Sequence, residues 1–185
     1  MPSFPIFHTR RLVLRAPTLA DVPSYHRHFV NYEIIRHLSA RVPWPYPTDG
    51  VANFLANFII PTLGKERWAW GLFFHNEPET IIGMIELWRK GNPENRGFWL
   101  GQEFWGQGLM TEAVSVINTY AFEKLGFEEL IFSNAVGNTA SRRIKEKTGA
   151  QYLGSKPAGF VDPNFTEQEL WRLTKEQWQE LHDQK

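Results

Sequence analysis

The sequence has no cysteine among its 185 residues, and neither sign of charge is in excess, because 20 Lys and Arg residues balance 20 Asp and Glu residues. The missing cysteines exclude disulfide bonds, thiolate zinc sites and a cysteine nucleophile. The even charge balance does not indicate a strongly basic surface for nucleic acid. The charge composition therefore does not suggest a nucleic-acid partner.

Long apolar runs are also missing. No stretch approaches the roughly 20 apolar residues that span a bilayer. The N-terminal stretch "MPSFPIFHTRRL" has no apolar core of the kind found in signal peptides. We expect a soluble, cytoplasmic protein with no membrane association.

Aromatic residues are abundant, at 15% of the chain, and hydrophobic residues make up 42%. This composition supplies a sizeable core, and the length fits one domain over residues 1–185. The aromatic content also leaves room for a homodimer interface.

Apolar periodicity predicts a mixture of strands and helices. A first strand in "RLVLRAP" precedes helices, and the strands "WAWGLFF", "ETIIGMIELWRK" and "RGFWLG" follow. A helix over about 108–125, a strand, a helix near 138–149, two strands and a helix capped by Thr174 and Gln177 complete the chain. This order predicts an α/β fold of the α+β kind, a mixed sheet with helices packed on its faces.

A glycine turn precedes the long helix in "LGQEFWGQGLMTEAV", residues 100–114. Amides at a helix start lack intrahelical partners and carry partial positive charge, and glycine lets the backbone approach a ligand closely. Gly106 and Gly108 therefore indicate an anion site, most often one for phosphate. Thr111 stands where a dinucleotide motif needs a third glycine, and a tight turn without a ligand is the alternative.

Two segments resemble the GNAT-type N-acetyltransferases, in their RimJ/RimL-like branch of ribosomal-protein-alanine acetyltransferases. They are "GFWLGQEFWGQGLMTEAV" and "ELIFSNAVGNTASRRIKEKTGAQYLG", and the resemblance covers nearly the whole chain. It implies one domain with a central, mostly antiparallel twisted sheet, flanking helices and splayed central strands. Met110 departs from the small residue usual in the family, so its side chain must turn away from the phosphates.

The resemblance implies acetyl-CoA as donor and an amine as acceptor. Turn amides would hold the pyrophosphate, the strand before the turn would pair with pantetheine, and an N–H near Leu100 or Gly101 would stabilise the oxyanion. Arg143 would contact a CoA phosphate or simply be a solvated charge. The residues expected to bind the cofactor are Phe98, Trp99, Leu100, Gly101, Gly106, Gln107, Gly108, Leu109, Met110, Thr111, Asn138, Ser141 and Arg143.

Two residues are candidates for the chemistry. The resemblance implies that Ser141 protonates the leaving thiolate, since Ile144 occupies the position where the wider family has a tyrosine; a simple helix-start role is the alternative. Glu86 lies in an apolar strand, where burial would raise its pKa and suit a general base. The alternative for Glu86 is an exposed carboxylate or an ion pair with Arg89.

Four further residues are expected to bind the acceptor. Trp44 and Tyr46 lie in a proline-rich loop and either line a pocket or anchor the loop to the core. Glu103 follows one strand and Asn134 lies at the end of another, and both are expected to face the cleft. The histidines are expected to be ordinary surface or core residues and not metal ligands, because His26 and His28 lie on different helix faces.

These observations predict transfer of an acetyl group to a primary amine, in particular the α-amine of a protein or peptide. An α-amine has a pKa of about 7.7–8.0, against about 10.4 for lysine, so it needs only a weak base. The alternatives are a small-molecule amine, such as a polyamine, an amino acid or an antibiotic, and a CoA-binding module without catalysis.

Overall fold

The computed structural model describes residues 4–90 and 94–183. The order of elements follows the sequence prediction, with a short first strand and a one-turn helix in addition. The strands are β1 (Phe7–His8), β2 (Leu12–Arg15), β3 (Arg67–Phe74), β4 (Gly83–Trp88), β5 (Arg96–Leu100), β6 (Glu129–Ala135), β7 (Gln151–Pro157) and β8 (Glu167–Thr174). The helices are α1 (Val22–Phe29), α2 (Tyr32–Ile35), α3 (Gly50–Phe54), α4 (Leu109–Glu123), α5 (Thr139–Lys147) and α6 (Lys175–Asp183).

The strands form two antiparallel sheets, with orders β1-β2-β3-β4-β5 and β6-β8-β7. In the described residues no strand pairing joins β5 to β6. They touch at the start of β5, where Asn95 N donates to Ile131 O at 2.7 Å. The predicted splayed strands are therefore present, and a gap opens between the two sheets.

Apolar side chains cover both faces of the five-stranded sheet. On one face α4 packs through Ala113, Val114 and Ile117 in a cluster that also contains Phe132 and Trp171 of the smaller sheet. This shared core holds the two sheets together although their edges do not pair. Helices α1 to α3 cover the opposite face in a second cluster.

Local signals fix the helix ends. Thr174 and Gln177 form the predicted capping box, with Thr174 N to Gln177 Oε1 at 3.0 Å and Gln177 N to Thr174 Oγ1 at 3.2 Å. Gly126 follows α4 with a φ of +68°. The last of the helices predicted between the first two long strands is less regular: beyond α3 the backbone continues as a wider turn over Leu55–Ile59 and a 3₁₀ turn over Ile60–Thr62.

Across residues 4–90 and 94–183, every helix is too short or too polar to traverse a bilayer.

Candidate active site

The glycine turn presents bare backbone to solvent. Gly106 and Gly108 both have a φ of +75°, and no atom lies within 4 Å of where a Gly106 Cβ would be. Arg11 braces the turn, since its Nη1 donates to Gln107 O at 2.8 Å and its Nε to Glu112 Oε2 at 2.8 Å. Arg11 thus holds the turn on one side, and the other side is open to solvent.

Six consecutive amides at this turn have no protein acceptor within the described part of the chain, from Gly106 to Thr111. The first bond of the α4 start runs from Glu112 N to Gly108 O at 3.0 Å. Unpaired amides at a helix N-terminus are suited to an anion. Met110 is buried in the core, so its side chain turns away from this surface as expected.

Glu112 stabilises the glycine turn through its contacts with Arg11. Partial burial acts to raise its pKa, but hydrogen bonds from Thr9 and from the Arg11 amide and side chain lower the pKa overall. The carboxylate therefore stays ionised in the first turn of α4, where it complements the helix dipole.

The edge of β5 that faces the gap offers a short row of backbone groups. Antiparallel pairing alternates, so Trp99 bonds to β4 while the N–H groups of Phe98 and Leu100 point to the gap. Gly101 N donates to Ile82 O at 2.8 Å, so this amide is not available for the oxyanion. Of the two predicted donors, only the Leu100 N–H has no acceptor among the described residues, and the Leu100 carbonyl accepts from Trp105 Nε1 at 2.7 Å.

Helix α5 brings Ser141 to the other side of the gap. Asn138 caps the helix through its Oδ1, which accepts from Ser141 N at 3.1 Å, and this leaves the Asn138 amide group for a ligand. Ser141 Oγ accepts from Lys145 Nζ at 2.7 Å, and Lys145 lies between a β5 ring and a β6 ring. Arg143 is exposed on the same helix.

Glu86 lies on the face of β4 that α1 to α3 cover. It forms an ion pair with Arg67 and not with Arg89, which instead donates to Leu125 O at 2.6 Å. The alternative pairing with Arg89 is therefore wrong: Ala69 is the direct partner of Glu86 in the β3–β4 ladder, and Arg67 reaches the carboxylate from the diagonal position two residues away. Burial raises the pKa of Glu86, and the Arg67 charge opposes this shift.

An open cleft of about 350 Å³ lies where α1 ends, and Glu103 lines it together with Arg27, His28, Asn31 and Gln102. His28 Nδ1 lies 2.8 Å from Glu103 Oε1. Burial lowers the pKa of His28, although Glu103 opposes the shift. His28 was expected to be an ordinary surface or core residue; its contact with Glu103 links positions 75 residues apart, and no local pattern in the sequence signals it.

The remaining predicted acceptor residues lie outside this cleft. Tyr46 packs edge-on against Phe29, with ring centroids 5.4 Å apart, so it anchors the proline-rich loop. Trp44 packs against Tyr32 with tilted rings, 5.3 Å between centroids, and is 43% exposed. Asn134 is buried and donates to Glu169 Oε2 at 2.9 Å, while its Oδ1 has no partner.

The described residues contain no group of three or more histidine or acidic side chains able to hold a metal ion.

A split antiparallel sheet, a bare turn of free amides at the gap and a hydroxyl across it define the class of acyl transferases that use a CoA thioester. Residues 11–151 match the family model of the acetyltransferase (GNAT) domain. The chain belongs to this family of acetyl-CoA-dependent N-acetyltransferases.

Similar proteins include YdaF of Bacillus subtilis, whose name assigns it provisionally to the ribosomal N-acetyltransferases. It is 31% identical over 104 residues, which span 54% of this chain and 57% of YdaF. RimL, a ribosomal α-N-protein acetyltransferase solved with coenzyme A, superposes with a TM-score of 0.75 at 18% identity, covering 92% of this chain and 97% of RimL.

A spermidine N-acetyltransferase from Vibrio cholerae, solved with CoA and spermine, gives the same TM-score of 0.75 at 17% identity. The alignment covers 91% of this chain and 98% of that one. Equal scores for two acceptor classes show a common fold and do not select between the acceptors.

Proposed function

We propose that this chain transfers the acetyl group of acetyl-CoA to a primary amine, in particular the α-amine of a protein or peptide. The observation that carries the proposal is the row of unpaired amides from Gly106 to Thr111 beside the unpaired edge of β5. The pyrophosphate binds the amides, and pantetheine runs along Phe98 and Leu100 towards Ser141. Asn138 holds the pantetheine arm, and Arg143 contacts a CoA phosphate.

In the reaction the neutral amine attacks the thioester carbonyl, and a backbone N–H of Phe98 or Leu100 stabilises the oxyanion. The C–S bond then breaks, the new amide keeps the acetyl group, and the sulfur leaves as a thiolate. Glu86 or water takes the proton that the amine loses. Ser141 gives a proton to the sulfur and regains one from a neighbouring donor or from solvent, and the products are the acetylated amine and CoA.

The acceptor cleft favours an α-amine over a polyamine. Its lining contains one carboxylate, Glu103, which already faces His28, and Arg27 adds a positive charge. A polyamine carries several charges and is best held by several carboxylates. The similarity to YdaF, which is named as a ribosomal N-acetyltransferase, also supports a protein acceptor over a polyamine. Such acceptors agree with the expected cytoplasmic location, and a homodimer stays a prediction.

Release of the CoA thiol tests the proposal directly, and the protein adds no background because it has no cysteine. Acetyl-CoA is mixed with lysine-containing peptides whose N-termini are free, with the same peptides N-acetylated, and with spermidine. We expect thiol release with free N-termini and little with blocked ones. Turnover on spermidine alone would select the small-amine alternative, and CoA binding without turnover on any amine would select the non-catalytic one.

A further inference from the structure

Helix α5 has a lysine whose side chain is buried, which is rare for this residue type. Lys145 is 1% exposed, whereas Lys147 on the same helix is exposed. A buried ammonium group is unfavourable unless it is paired and hydrogen-bonded. In the described structure no carboxylate lies within ion-pair distance of Lys145. Its Nζ donates to Ser141 Oγ at 2.7 Å.

The surroundings of Lys145 are poor in compensating charge. Its Nζ lies 5.8 Å from the Phe98 ring centroid and 5.9 Å from that of Phe132, so it occupies the floor of the gap between β5 and β6. Arg96 from β5 is a second buried cation, with its Nε and Nη2 unpartnered and one bond to Asn118 Oδ1 at 2.8 Å.

The carboxylates that influence Lys145 are already engaged. Glu94 bonds to Ser133, and Glu169 of β8 bonds to Asn134 and Arg142. Lys145 and Arg96 are therefore two buried basic groups beside the gap, and the proposed reaction produces an anion, the CoA thiolate, in that gap.

We propose that Lys145 is a positioning residue that orients Ser141 and supplies, through it, the proton taken up by the CoA sulfur. This inference rests on the proposed acetyl transfer. As the C–S bond breaks, the Ser141 O–H proton moves to sulfur and a Lys145 N–H proton moves to Ser141 Oγ. The new S–H and O–H bonds replace one O–H and one N–H bond. Neutral Lys145 recovers its proton from solvent after the products leave.

The charges around Lys145 support this direction of transfer. Burial, followed by the positive charge of Arg96, lowers the pKa of Lys145 well below its usual value, and the carboxylates of Glu169 and Glu94 oppose the shift only in part. A lowered pKa makes Lys145 a better donor to a thiolate, whose conjugate thiol has a pKa near 8.5. Activity that depends on this proton should fall as the pH rises through the pKa of Lys145.

The variant that tests the proposal is Lys145→Met, with Lys147→Met as the matched control on the exposed side of α5. Replacing a buried cation by an apolar side chain of similar size is often neutral or stabilising, so we expect a folded protein. We expect kcat to fall roughly 10- to 100-fold with an unchanged KM for acetyl-CoA. The double variant with Ser141→Ala should be no slower than Ser141→Ala alone, because both residues act on one proton.

A second measurement does not depend on the acceptor. The pKa of the thiol of bound CoA can be followed by thiolate absorption, since the protein has no thiol of its own. We expect Lys145→Met to raise that pKa by about 1 and Lys147→Met to leave it unchanged. An unchanged thiol pKa in Lys145→Met overturns the proposal even if the enzyme turns over. A wild-type protein that does not bind CoA overturns both this inference and the proposed function.

Discussion

The proposed cofactor side, at the glycine turn and the edge of β5, and the proposed acceptor side, at the open cleft, are built from different groups. Backbone amides form the cofactor side, and two glycines with a φ of +75° shape it. Side chains from α1, the start of α2 and the turn after β5 form the acceptor cleft. A site made of backbone is encoded in a few adjacent residues, whereas a site made of side chains depends on contacts across the fold. The donor is therefore easier to identify than the acceptor.

The largest effect is expected at the glycine turn, with Gly106→Val compared with Gly126→Val. Both positions have positive φ and open space around a new Cβ, so both variants should lose similar stability through backbone strain. Only Gly106→Val should displace the amides at the cofactor site. Two lost charge-assisted hydrogen bonds correspond to roughly 100-fold weaker acetyl-CoA binding, measured by calorimetry. Equal affinities in the two variants would contradict the cofactor assignment.

Ser141→Ala separates chemistry from binding on the same side. We expect kcat to fall about 100-fold while the KM for acetyl-CoA changes little, because the hydroxyl acts on the departing sulfur. Steady-state kinetics with Thr139→Ala, which removes an exposed hydroxyl from α5, provides the control. If Ser141→Ala keeps wild-type kcat, Ser141 is only a structural residue.

Glu86, the proposed base, forms an ion pair with Arg67, and the effect of this pair on activity is expected to depend on pH. A base must be ionised, so kcat/KM should fall as the pH drops through the pKa of Glu86, which burial raises. Glu86→Gln should remove this acidic limb. Arg67→Met should move the limb to higher pH, because the Arg67 charge lowers that pKa. Two profiles that match the wild type would leave Glu86 as a structural residue.

The smallest effect is expected in the acceptor cleft. His28→Gln removes the ion-pair partner of Glu103. Because this pair is partly exposed, it is expected to contribute little to binding or stability. We expect a few-fold change in the KM for the acceptor peptide and none in the KM for acetyl-CoA. A change in the KM for acetyl-CoA instead would show that this cleft binds the cofactor and not the acceptor.

Features that depend on neighbouring residues can be predicted from the sequence, whereas features that depend on contacts across the fold cannot. The start of α4, the glycine turn and the Thr174 cap depend on neighbouring residues, and all three are present as predicted. The ion pair of Glu86 with Arg67 needs the register of two strands. The commitment of the Gly101 amide to Ile82 also depends on register. The burial of Lys145 depends on Phe98 of β5 and Phe132 of β6, which belong to different sheets.

The most direct test of the central claim compares melting temperatures with acetyl-CoA and with S-acetylpantetheine, which lacks the pyrophosphate. At 100 times its Kd a ligand adds about 2.7 kcal/mol, which for a chain of this size raises Tm by roughly 5 to 10 °C. We expect this rise with acetyl-CoA and little with S-acetylpantetheine at the same concentration. No rise with acetyl-CoA, or equal rises with both, would show that the amides from Gly106 to Thr111 do not hold the pyrophosphate.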